Sequence, residues 1–209
     1  MSVVFVTGTG TEIGKTWVLV RVLESMRTGT RPVAAAKPAQ SYAPDELGAT
    51  DAELLAAALG VDPHVVCPAH RWYATPMAPP MAADVLGTPA FTIADLAGEI
   101  PATPDGGVLF VEGAGGPRSP LAADGDNVDL ARAVGAGLAV LVADAGLGTI
   151  NAVRLCVDAL TGFDTLVLLN RFDPGDDLHR RNRAWLAAAG YQVLTSGEEL
   201  VARLAERLP

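Results

Sequence analysis

The chain has 209 residues, half of them apolar, and a formal charge of −9. That much apolar surface excludes a disordered or purely tail-like protein, since it can offset the entropy of ordering the chain. The acidic balance, with no dense Lys/Arg face, excludes nucleic acid as the main partner, and the length suits one α/β domain over residues 1–209.

The opening residues, VVFVTGTGTEIGKTWVLV (Val3 to Val20), run from a continuous apolar segment through glycines and threonines into a second apolar run. Val3–Thr7 reads as a strand buried on both faces, and Lys15–Met26 as the helix that follows. Pro32–Lys37 reads as a second strand. Thr50 is an expected N-cap for a helix over Asp51–Leu59, with Glu53 at its third position and Gly60 closing it. The Pro-rich stretch Cys67–Pro80 is the least regular part, either a loop over a ligand crevice or a plain connection. Beyond it, helices are predicted over Ile93–Glu99, Val128–Val134, Ile150–Leu160 and Leu178–Ala189. They alternate with strands over Val108–Glu112, Leu138–Asp144 and Thr165–Asn170. Tyr191–Leu194 and Glu198–Arg207 suggest a last strand and a closing helix.

No apolar stretch reaches the ~20 residues that cross a bilayer, so no membrane association is expected. The first residues carry no basic segment followed by an apolar one, so no export signal is expected either. Cys67 and Cys156 lack metal-ligand spacing and read as reduced thiols, which suits a cytoplasmic protein. Repeated β-α units imply a doubly wound α/β fold, a mostly parallel sheet with helices on both faces.

The glycine loop carries the first chemical signal. A strand, a Gly-containing loop and Gly14-Lys15-Thr16 at a helix start cradle a polyphosphate: backbone N–H groups point inward and the lysine reaches the outer phosphates. This makes the fold P-loop NTPase-like. Five residues separate Gly8 from Gly14, one more than the standard pattern, so the loop is a variant. Gly10 stands where filament-partitioning ATPases carry a signature lysine, which disfavours their dimer-crossing mechanism.

Further polar residues stand at strand or helix ends. Glu112 ends VLFVE and runs into Gly113-Ala114-Gly115-Gly116, placing a carboxylate at the ligand edge of a parallel sheet, where it suits Mg2+. Asp51 opens a helix, where on its own it reads as a complement to the helix dipole. Asp144, at another strand end, is an alternative acid. Lys37 leaves the apolar run VAAA just before Pro38, as a second cation aimed at a transferred phosphate or at a carboxylate-like substrate group. Ser41 lies four residues on.

Taken in order, VTGTGTEIGKT, KPAQS, TDAELL, VEGAGG, LGTIN and LLNR resemble the ATP-dependent dethiobiotin synthetases, ligases of biotin biosynthesis. The five-residue gap in the glycine loop is a feature of that family. The resemblance implies a reaction of 7,8-diaminononanoate with CO2 to give an amine carbamate. A carbamate oxygen then attacks the γ-phosphate of ATP, and the second amine closes the ureido ring and expels phosphate. It implies Lys15 and Lys37 as catalytic cations, and Thr16, Asp51 and Glu112 as ligands of Mg2+. It assigns ATP contacts to Thr11, Glu12, Ile13, Gly14, Lys15, Thr16 and Trp17 in the loop. Asp51, Glu112, Gly113, Ala114, Gly115, Asn170 and Arg171 complete that set, with Asn170 reading the adenine. Thr11, Ser41, Gly148, Thr149, Ile150 and Asn151 are implied for the diamine. The family is homodimeric, and residues 148–151 of one subunit meet the substrate carboxylate of the other.

Three positions depart from the family's pattern. Tyr42 stands where glycine is usual, close to the expected substrate, and Ala152 replaces a frequent histidine. Arg118 follows the glycines, as an anion contact or a solvated charge. Thr195–Gly197 is expected near the base. The alternatives are another P-loop small-molecule kinase or synthetase and a nucleotide-dependent regulatory switch. Lys37 with Ser41 and VEGAGG favours the synthetase over the first. The missing signature lysine and the absence of a membrane-targeting tail count against the second.

Overall fold

A computed structural model of the chain describes residues 2–45 and 47–208. In chain order the elements are strand β1 (Ser2–Gly8), helix α1 (Lys15–Arg27), β2 (Val33–Ala36), β3 (Gln40–Ser41), α2 (Asp51–Leu59), α3 (Pro63–Val66), β4 (Trp72–Tyr73), α4 (Pro79–Val85) and α5 (Ile93–Glu99). There follow β5 (Val108–Glu112), β6 (Pro120–Ala122), β7 (Gly125–Asp126), α6 (Asn127–Ala133) and β8 (Leu138–Asp144). The chain continues through α7 (Thr149–Ala159), β9 (Asp164–Asn170), α8 (Asp177–Ala188), β10 (Gln192–Leu194) and α9 (Gly197–Arg207).

Six strands form the central sheet in the order β10-β9-β8-β1-β5-β2, and every neighbouring pair is parallel. Side chains alternate across it, as the two-residue period of a strand requires. Val4, Val6, Val108, Phe110, Val140 and Leu168 enter one core, which α1, α2 and α9 cover with Leu19, Leu55 and Leu200. On the opposite face, Phe5 and Leu109 meet Leu96 and Leu130, while Leu141 and Leu169 meet Val153 and Leu186. Burial on both faces explains why these strands read as unbroken apolar runs. Cutting one such side chain, Leu19→Ala for example, costs about 2–5 kcal/mol.

The reversal in strand order falls at β1, which lies between β5 and β8. Loops leaving the carboxyl ends of these strands diverge there and open a crevice. β2 is shorter than the expected Pro32–Lys37. Lys37 lies beyond it, its backbone N–H donating to Val66 O at 2.8 Å instead of to the sheet. The stretch Cys67–Pro80 is more ordered than its prolines suggest. It holds a 3-10 turn at Ala69–Arg71, then β4, which pairs with β3 in a separate two-stranded sheet, and it ends in the first residues of α4. Thr50 and Glu53 do form a capping box on α2, and Gly60 closes that helix at φ 72°.

Candidate active site

The loop between β1 and α1 takes its shape from two glycines. A Cβ at Gly8 would crowd the Ile13 side chain, and one at Gly14 would run into the Asn170 amide. Gly14 also sits at φ 87°, where a side chain is strained. Gly14 is the N-cap of α1 and brings no side-chain cap, so the helix presents its first N–H groups to whatever occupies the loop. Lys15 and Thr16, the first two helical residues, are buried. The Lys15 ammonium donates to Gly10 O at 3.0 Å, across the loop. Burial, and then repulsion from Lys37, hold its pKa below the usual lysine value. The end of β9 braces the loop from outside. Asn170 Nδ2 donates to Ile13 O at 2.8 Å, and Arg171 donates to Glu12 O at 3.0 Å.

Four residues far apart in the chain meet beside this loop: Thr16 on α1, Lys37 just after β2, Asp51 on α2 and Glu112 on β5. Lys37 Nζ lies 2.6 Å from Asp51 Oδ2 and 2.7 Å from Glu112 Oε1. The Thr16 hydroxyl lies 2.7 Å from Asp51 Oδ1 and 2.8 Å from Glu112 Oε1. A hydroxyl carries one proton, so Thr16 donates to one of these carboxylates at a time. Burial pushes the Glu112 carboxyl up, against the pull of Lys37, so it accommodates a proton more readily than a solvated acid. Burial works in the same sense on Asp51, but Lys37 outweighs it and brings that group down to about 2. Lys37 itself is disfavoured as a cation by burial, yet Asp51 and Glu112 together hold it above the usual lysine value. Glu112 Oε2 is buried and has no hydrogen-bond partner among the described residues. An unpaired carboxylate oxygen beside Thr16 and Asp51 is a donor set that a small hard cation suits. Among the described residues no group of three or more His, Cys, Asp or Glu side chains converges, so oxygens from a ligand would have to complete such a shell.

The crevice is a cavity of about 820 Å³. Thr11, Glu12, Gly14, Lys15 and Thr16 line it on the loop side, joined by Arg171. Lys37, Asp51, Ala114 and Gly115 also line it, as do Ser41, Tyr42 and Met77. Several expected contacts lie elsewhere. The Trp17 ring is more than half exposed and stacks under Arg21, 5.3 Å from the ring centroid. Ile13 packs against the core, and Asn170 is committed to the loop backbone. Gly113 has no room for a Cβ because Asn127 stands against it. The Ser41 hydroxyl donates to Met77 O at 2.5 Å, which ties the Pro-rich segment onto β3. Gly148, Thr149, Ile150 and Asn151 start α7 and are not among the residues lining this cavity. Asp144 accepts the Gly146 N–H at 2.7 Å, and Arg118 pairs with Asp126 at 2.8 Å.

Two buried polar residues went unforeseen. Asn127 donates to the carbonyls of Ala114 and Gly116, both at 2.8 Å, and accepts the Ala114 N–H. It thus fixes the loop after Glu112. Gln40 accepts the Ala52 N–H and holds the start of α2, hence Asp51. Both act on backbone distant in sequence; for Asn127 the only local clue was its place just after the capping residue Asp126.

A parallel sheet whose first strand passes through a glycine loop into buried Lys15 and Thr16, with a carboxylate closing the next strand, defines a P-loop NTPase-like protein. Solved structures agree on the fold. The hydrogenase maturation factor HypB of Archaeoglobus fulgidus superposes with a TM-score of 0.57 at 16% identity, over 100% of this chain and 91% of that one. The signal recognition particle receptor FtsY of Elizabethkingia anophelis does so at 0.53 and 15%, over 96% and 64%. Within this class, the family model described as an AAA domain matches residues 2–168. The ATP-dependent dethiobiotin synthetase of Methylobacterium nodulans is 37% identical over 79% of this chain and 75% of its own length. That of Rhodococcus jostii is 41% identical over 77% and 68%. The chain belongs to the ATP-dependent dethiobiotin synthetase family.

Proposed function

We propose that the cavity joins CO2 to 7,8-diaminononanoate at the expense of ATP, forming the ureido ring of dethiobiotin through a carbamic-phosphoric anhydride. The observation that carries this reading is the position of Lys37. Its ammonium is held between Asp51 and Glu112 in the lining of the cavity, next to the start of α1.

In this reading the N–H groups of the glycine loop and Lys15 bind the triphosphate, with the dipole of α1 behind them. The buried oxygens of Thr16, Asp51 and Glu112 would hold Mg2+. When bound, that ion neutralises phosphate charge and orients the terminal phosphate. Lys37 is the second cation, placed to hold the carbamate oxygen against the terminal phosphorus and to stabilise the charge that spreads over the phosphate oxygens. The carbamate oxygen forms the new P–O bond as the bond to ADP breaks. The second amine then attacks the carbamate carbon, and inorganic phosphate leaves with that oxygen. Tyr42 and Met77 form the apolar side of the pocket and suit a hydrocarbon chain. The chain works as one unit over residues 1–209.

We also place the active site at a homodimer interface. Leu147, 92% exposed, projects beside the α7 start, and Leu155 is exposed on the same helix. A second copy covering this face would bring its Gly148–Asn151 turn to the substrate carboxylate. Free Cys67 and Cys156 accord with a cytoplasmic setting.

The test is phosphate release measured with ATP, Mg2+ and bicarbonate, with and without the diamine. Release that requires the diamine is expected. Equal release without it would refute the ligase reading and favour an unrelated ATPase.

A further inference from the structure

Among the described residues that line the cavity, one buried polar side-chain atom has no hydrogen-bond partner and no role in phosphate transfer as just described. Gln40 is only 3% exposed and lines the cavity with Lys37, Ser41 and Asp51. The two ends of its amide have different surroundings. Oε1 accepts the Ala52 N–H at 3.0 Å, at the second residue of α2. Only an acceptor can meet an N–H there, so chemistry fixes which end of the amide faces the helix. Nε2 is therefore turned away from α2, and it has no acceptor among the described residues. Buried amide groups are nearly always paired, so an unpaired one beside a ligand cavity points to a donor whose acceptor arrives with the ligand.

We propose that Gln40 is a substrate-binding residue whose Nε2 donates a hydrogen bond to an anionic oxygen of the carboxylated amine, positioning it beside Lys37. This rests on the phosphate-transfer reading above. Two considerations favour the acceptor over the nucleotide. Gln40 is three residues from Lys37 and immediately precedes Ser41 and Tyr42, all of which line the same cavity. A neutral donor also suits an oxygen that loses its charge as it bonds to phosphorus. A further full cation would stabilise the ground state more than the transition state.

Gln40 also holds α2, so the test must separate support from ligand binding. Gln40→Glu keeps an oxygen for the Ala52 N–H and removes the donor; Gln40→Met removes both. For each variant the readouts are thermal unfolding, calorimetric affinity for ADP with Mg2+, and the KM and kcat of diamine-dependent phosphate release. Gln40→Glu buries a carboxyl and is expected to melt somewhat earlier than the wild type, to bind ADP like the wild type, and to raise the KM for the diamine by about 10- to 100-fold. Gln40→Met is expected to share that KM and to melt earlier. A Gln40→Glu enzyme with wild-type KM and kcat would reduce Gln40 to a helix support and overturn the proposal. Loss of ADP affinity in step with diamine affinity would overturn it too, by giving the donor to the nucleotide. A wild-type chain whose phosphate release ignores the diamine would defeat both this proposal and the reading beneath it.

Discussion

The turn after β1 and the turn after β8 leave neighbouring strands at the same edge of the sheet, with Gly8 opposite Val142. Each enters its helix through a left-handed glycine, Gly14 at φ 87° and Gly148 at φ 92°. Each is braced by a buried asparagine, Asn170 holding Ile13 O and Asn182 holding the carbonyls of Ala145 and Gly146. Their surroundings differ. The first turn ends in buried Lys15 and Thr16, facing Lys37, Asp51 and Glu112. The second carries Leu147 into solvent, its Asp144 is engaged with Gly146 N, and Thr149 Oγ1 is buried without a partner among the described residues. Glycine geometry and a helix start supply inward N–H groups in both turns. What distinguishes them is the set of cations and carboxylates brought in by the segment after β2, by α2 and by β5.

The strongest way to break this comparison is to remove the cation that follows β2. Lys37→Ala should lower turnover by at least ~10³-fold, the scale seen when a charge-stabilising cation is lost from phosphoryl transfer, while calorimetric ADP binding persists. Lost ADP binding with retained turnover would move Lys37 into the nucleotide site. Glu112→Gln should raise the Mg2+ concentration for half-maximal rate by at least about tenfold, or ~1.4 kcal/mol for one lost oxygen ligand. An unchanged Mg2+ titration would remove Glu112 from the metal shell.

A finer comparison uses the two bracing asparagines. Asn170→Ala and Asn182→Ala should each cost about 1–3 kcal/mol in denaturant unfolding, because the first leaves the part-buried Ile13 carbonyl unpaired and the second the carbonyls of Ala145 and Gly146. Only Asn170→Ala should also weaken ADP binding. Equal loss from both would mean that the two turns contribute alike to the nucleotide site.

The smallest effect concerns pH. Asp51 has a folded pKa of about 2 against an ordinary value of 3.8. Its contribution to stability is complete above the unfolded value and lost as pH falls from about 4 towards 2. Glu112 is shifted the opposite way, so its preference for the proton favours the folded chain at low pH and is lost as pH rises through its raised pKa. Asp51→Asn should therefore flatten the fall in melting temperature between pH 4 and 2. A fall as steep as in the wild type would assign that loss to other groups.

Much of this architecture was legible in the chain itself. Val108–Glu112 and Leu138–Asp144 coincide with β5 and β8, because burial on both faces writes an unbroken apolar run. Asp51–Leu59 and Ile93–Glu99 coincide with α2 and α5, each bounded by a capping box that lies within four residues. The β3–β4 pairing was not legible, since it joins Gln40 to Trp72 across 32 residues and each strand has only two. The sequence suggested Lys15, Thr16, Lys37, Asp51 and Glu112 because each ends a strand or opens a helix, and the fold brings all five together. Asn127 and Gln40 stayed hidden because their partners are backbone groups that folding delivers from elsewhere. Trp17, implied for ATP, lies on the outer side of α1 with Arg21.

The central claim is that an acceptor made from CO2, rather than water, takes the terminal phosphoryl group. The mass of the phosphate released in a single turnover with CO2 bearing isotopically heavy oxygen, before that label exchanges with solvent, tests it most directly. One heavy oxygen in each phosphate is the expected result. Phosphate without the label would contradict the account.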